Sequence, residues 1–136
     1  MSFIDSANPT EDEIIKWAYD KDSDVPDEDW EIILSAQDKD DLLLKLASDP
    51  QCPKSDVFLC SLYILIFDAF RSKFEFHTRE KVSRLLDKAE KIENEKVFRW
   101  VKRSRDIIAN PPPYLDYEKW CIWGWINEDK KIFGPD

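Results

Sequence analysis

Glycine is almost missing from this chain: there are two in 136 residues, Gly124 and Gly134, both near the C-terminus. A Gly-rich loop that wraps a phosphate therefore cannot be built, and nucleotide chemistry of that type is set aside. Histidine occurs once, as His77, with no Cys or His at ligand spacing beside it, so no zinc site is expected. The cysteines, Cys52, Cys60 and Cys121, are odd in number and do not pair by spacing. They read as reduced thiols of a cytoplasmic protein. Met1–Ile15 has no apolar h-region, which argues against export. The longest apolar stretch, Val57–Phe70, is too short for a bilayer and contains Ser61 and Asp68, so it reads as a core helix and no membrane contact is expected. Sustained strand alternation flanked by turn glycines is lacking too, which leaves an all-α fold.

Acid is what the chain has in excess. The formal net charge is −9. Residues 1–56 hold sixteen Asp and Glu against five Lys and Arg, a net of −11, and the rest holds thirteen against fifteen, a net of +2. Acid confined to one region suits a surface that meets something basic. The same charge repels nucleic acid at long range. Hydrophobic residues at 43% and aromatic residues at 13% rule out wholesale disorder, and the length suits one domain over residues 1–136.

Six or seven helices follow from caps and periodicity. Thr10 and Glu13 form a capping box for a helix that buries Ile14, Ile15, Trp17 and Ala18 and ends near Lys21. Pro26 opens a second, with Asp27, Glu28 and Asp29 in its first turn and Trp30, Ile33 and Leu34 on its buried face. A third covers Lys39–Ala47, capped by Asp38. The fourth runs from Lys54 to about Lys73; it is apolar on almost every face and is expected at the centre, wrapped by the others. Thr78 caps a fifth, with Val82, Leu85, Leu86, Ala89 and Ile92 inward. Asn94 caps a sixth, with Val97, Phe98, Trp100, Val101, Ile107 and Ile108 inward and Arg99, Arg103 and Arg105 largely outward. A short link makes these two a hairpin. Asn110-Pro-Pro-Pro113 ends it, and Asp116 caps a last short helix reaching Trp125. Glu13–Asp22 and Glu31–Asp40 share seven of ten residues, an echo too short for a solenoid and explained by two amphipathic helices with polar ends.

The strongest motif is the acidic run from Asp20 to Glu31. Read as a twelve-residue calcium loop it offers oxygens at positions one, three, five, nine and twelve. Val25 occupies the position where glycine makes the sharp turn, and the acids are equally explained as the end of one helix and the start of the next. No metal and no cofactor are expected to be required. Asp68, within an apolar helix, suits a structural hydrogen bond better than catalysis, because no second acid or base accompanies it. Arg79–Arg105 carries ten bases and five acids; the segment is either a phosphate-facing surface, a solvated face, or a face laid against the acidic half. Tyr114, Tyr117, Trp120, Trp123 and Trp125 form an aromatic tail that packs over the core and leaves one or two rings for contacts.

Four segments carry a resemblance: Trp17-Ala-Tyr-Asp20, Asp29-Trp-Glu31, Ala47-Ser-Asp-Pro-Gln-Cys-Pro-Lys54 and Leu115-Asp-Tyr-Glu-Lys-Trp-Cys121. The chain resembles short bacterial proteins of unassigned function, and is similar in character to immunity proteins of contact-dependent or polymorphic toxin systems. The resemblance implies a cytoplasmic protein, not an enzyme, that binds and blocks a cognate basic toxin domain, often a nuclease. Asp20, Asp22, Asp24, Asp27, Glu28, Asp29 and Glu31 are the expected docking surface. The alternative is a small adaptor or regulatory protein that uses the aromatic tail or the basic hairpin. Third stands an enzyme assembled in space at Asp68, His77 or Cys60.

Overall fold

The computed structural model describes residues 3, 5, 7–26 and 30–123. Among these there are seven helices and no strand. They are α1 (Glu11–Ala18), α2 (Trp30–Ala36), α3 (Asp40–Ser48), α4 (Ser55–Arg71), α5 (Arg79–Glu90), α6 (Glu95–Ala109) and a π-helical segment, Glu118–Trp123. No helix among the described residues is long and apolar enough to cross a membrane.

Local chemistry sets most of the starts. The Thr10 hydroxyl accepts from the Glu13 amide at 3.2 Å while the Glu13 carboxylate accepts from the Thr10 amide at 3.0 Å, completing the capping box. Thr78 and Asn94 cap α5 and α6 through the amides of Lys81 and Val97. Asp116 accepts from the Lys119 amide at 3.0 Å and so opens the π-helical segment. The expected end of that helix at Trp125 lies outside the described residues, as does the first turn of the second helix at Asp27, Glu28 and Asp29.

Two expectations are corrected. Asp38 does not cap α3: Lys39 holds the cap position with no side-chain hydrogen bond, and the Asp38 carboxylate instead accepts from Lys81 at 2.9 Å. Ile15 and Phe98 are exposed rather than buried. Each adjoins a residue that already faces inward, Ile14 and Val97 respectively, and one residue along a helix turns the side chain by about 100°. The sequence echo is not a packing repeat: buried Ile14 and Ala18 correspond to exposed Ile32 and Ala36.

α4 packs against α2, α3, α6 and the π-helical segment. α3 touches α1, α2, α4, α5 and α6, so these two helices share the interior. Four tryptophans anchor it. Trp17 meets Trp30 and Phe58 edge-on at 5.7 and 5.9 Å between ring centroids. Trp100 is fully buried in α6. Trp120 is fully buried too and donates to the Tyr63 carbonyl of α4 at 2.8 Å, so the chain beyond the three prolines returns to the core. α5 and α6 pack together as the expected hairpin.

Candidate functional site

Two acidic regions stand out. The first is the turn after α1. Asp20 accepts from the Asp22 amide at 3.2 Å and from the Ser23 hydroxyl at 2.5 Å, and the Ser23 bond leads in holding its carboxyl below the usual range. Lys54 lies beneath this turn. Its ammonium sits 4.2 Å from the Trp17 ring centroid and donates to the carbonyls of Trp17 and Asp20. The Trp17 indole donates to the Asp24 carbonyl at 2.9 Å. The backbone is thereby tied to the core while Asp22 and Asp24 point outward, exposed and without an ion pair among the described residues. Glu31 is half-buried in the first turn of α2. Asp27, Glu28 and Asp29 lie outside the described residues. No group of three or more His, Cys, Asp or Glu suited to a metal ion occurs among the described residues.

The second region is a cleft of about 550 Å³ between the start of α3 and one face of α5. Lys81 lies 2.9 Å from Asp38 and 3.3 Å from Asp40, and Lys88 lies 3.0 Å from Asp41. Lys96 of α6 similarly reaches Asp56 at 3.1 Å. The basic hairpin is thus laid partly against the acidic half of its own chain. Asp40 is enclosed, and burial pushes its carboxyl above the usual range despite Lys81. His77 is buried nearby, and burial followed by the Lys81 charge pushes its imidazole below its ordinary value. Its Nδ1 has no hydrogen-bond partner among the described residues. The sequence offers a hairpin laid against the acidic half as one of three readings but does not give the pairs. The spacing of Lys81, Arg84 and Lys88 along one face of α5 does not name the acids opposite.

Asp68 pairs with Arg71 at 3.2 Å. The Cys60 thiol points to the Cys121 carbonyl at 3.6 Å, and burial pushes the Cys121 thiol far up, as it does Cys52 to a lesser degree. Such thiols stay protonated and unreactive at neutral pH. Of the aromatic tail, Trp120 is core, Tyr117 packs edge-on against Phe67 at 5.1 Å, and Tyr114 is largely exposed. Trp125 lies outside the described residues, and the structure does not describe the Trp123 side chain. Comparison with protein-family models, with curated proteins and with solved structures found no match for this chain.

Proposed function

We propose that this protein is an immunity-type binding protein that neutralises a basic toxin domain by covering its active site with an acidic surface. The observation that carries the reading is how the acid is distributed. Asp38, Asp40, Asp41 and Asp56 face lysines of α5 and α6, whereas Asp22 and Asp24 face solvent. A carboxylate with no ion pair among the described residues is available to an external cation. A turn held by Lys54 and the Trp17 indole presents such carboxylates with little ordering cost on docking. Carboxylates can replace substrate phosphates against the Lys and Arg of a nuclease cleft, and long-range attraction speeds the encounter.

The test is protection in cells. A basic toxin domain encoded by the neighbouring reading frame is expressed with this protein or with its Asp20→Asn, Asp22→Asn, Asp24→Asn variant. Survival with the native chain and its loss with the folded variant is the expected result. Equal protection by both would remove the acidic turn as the docking surface, and no protection by either would remove the immunity reading.

A further inference from the structure

We propose that the groove formed by the turn after α4, by α5 and by the end of α6 binds a small anionic amphiphile, a single-chain carboxylate whose tail lies on Val82, Leu86 and Ile108 and whose headgroup meets Arg79 and Lys73. The groove shares no residue with the acidic turn, so this reading stands apart from that of a basic partner.

Charge carries the argument. Two adjoining cavities, of about 260 and 290 Å³, share Phe74, Arg79 and Ile108. Their floor is apolar: Val82 and Leu86 are buried and Ile108 is half-buried. No Asp or Glu lines either cavity, whereas Lys73, Arg79 and Arg105 do, in a chain whose net charge is −9. Arg105 is neutralised by Asp87 at 2.7 Å and Glu90 at 3.0 Å. Arg79 and Lys73 make no ion pair among the described residues. An apolar floor beside two uncompensated cations is complementary to a molecule with an alkyl tail and one negative end. A cation is repelled there, and a small hydrophilic anion leaves the floor in water.

The turn after α4 builds the cationic end. Lys73 and Phe74 are left-handed, with φ of 55° and 63°, in a region that residues with a Cβ seldom occupy. Backbone of this kind clusters at ligand clamps. Here it sets Phe74 edge-on to Phe70, with 6.3 Å between ring centroids, and the Arg79 guanidinium packs 4.1 Å from the Phe74 centroid. Arg79 is thereby held at the mouth of the groove before a ligand arrives, which lowers the ordering cost of binding. Each cavity alone is slightly smaller than most small-molecule pockets, and the two joined fall among them, which suits a short flexible chain.

The experiment titrates the full chain with sodium octanoate, octylammonium chloride or sodium acetate at constant ionic strength and follows the backbone amides by NMR. The expected result is a saturable octanoate shift at a Kd below about 5 mM, confined to the amides around Phe74, Ser83 and Ile108. Octylammonium should bind at least about tenfold more weakly there, and acetate should give no shift. The comparison discriminates because a net charge of −9 favours octylammonium over the rest of the surface. Arg79→Gln, at an exposed position, should weaken octanoate about tenfold. Ser83→Trp, which fills the groove without touching a charge, should abolish octanoate binding. Circular dichroism confirms folding; were one variant unfolded, the other decides together with the charge comparison in the native chain. The proposal is overturned by no saturation at about 50 mM octanoate, by equal affinity for octylammonium, by shifts that map elsewhere, or by an undiminished shift in a folded variant. Cosedimentation with phosphatidylglycerol vesicles in the absence of an octanoate shift would assign the groove to a lipid surface and overturn it as well.

Discussion

Lys73 and Phe74 follow α4 with φ of 55° and 63°, a left-handed turn made without glycine. The Phe74 amide reaches back to the Ala69 carbonyl at 2.6 Å, closing the helix end. A Cβ in this conformation is strained, so Lys73→Gly should stabilise the protein by about 0.5–1 kcal/mol, net of the extra freedom glycine has when unfolded. A rise in the urea midpoint at unchanged slope is the readout, and a fall would show that the lysine stem packs usefully. Asp40 and His77 give opposite pH signatures. The His77 value is lowered in the folded state, so its stability contribution is complete above about pH 6.5 and is lost as pH falls below that through the folded value. The Asp40 value is raised, so its penalty is absent below the ordinary 3.8 and grows as pH rises through the folded value. His77→Gln should flatten the stability curve below neutrality, and Asp40→Asn should raise stability at pH 7. A less stable Asp40→Asn at pH 7 would mean that the Lys81 attraction outweighs burial.

Several elements here are short and depend on their ends and on tertiary contact. Helix α1 has eight residues, too few to persist alone, and its capping box satisfies amides that would otherwise be orphaned. Thr10→Ala should cost about 0.5–2 kcal/mol. Asn94→Ala should cost more than a cap alone, because Asn94 also donates from Nδ2 to the Ser48 carbonyl at the end of α3. The π-helical segment is held through Trp120. Trp120→Phe removes the bond to the Tyr63 carbonyl and should cost about 1 kcal/mol, whereas Trp120→Ala also leaves a cavity and should cost about 3–5 kcal/mol. Similar losses for the two variants, read from denaturant curves, would show that the ring volume contributes little.

At the scale of the molecule, part of the acid is neutralised internally. The pairs from Lys81, Lys88 and Lys96 tie Asp38, Asp41 and Asp56, near the starts of α3 and α4, to the hairpin at exposed or partly exposed positions, so each adds little to stability and weakens with salt. Asp22 and Asp24 have no such task. Asp22→Asn with Asp24→Asn should leave unfolding within about 0.5 kcal/mol of the native chain. Association of the same double variant with a basic partner should slow, more at low salt than at high. Stopped-flow rates insensitive to both changes would show that the acidic turn does not steer docking.

How much was legible in the chain divides along sequence distance. Thr10, Thr78 and Asn94 declared three helix starts because each cap meets an amide three positions away. The apolar periodicity of α4, α5 and α6 placed most of the core for the same local reason. Asp38 was misread as a cap because its partner, Lys81, lies 43 positions on. The π-helical turn, the exposure of Phe98 and the return of Trp120 to Tyr63 were likewise beyond periodicity. The sequence by itself determined an all-helical chain with its acid in the first half, since backbone hydrogen bonding and side-chain period act within one turn. Only the tertiary structure decided which acids meet lysines and which face water, because charge acts across space and carries no trace of register in a single chain.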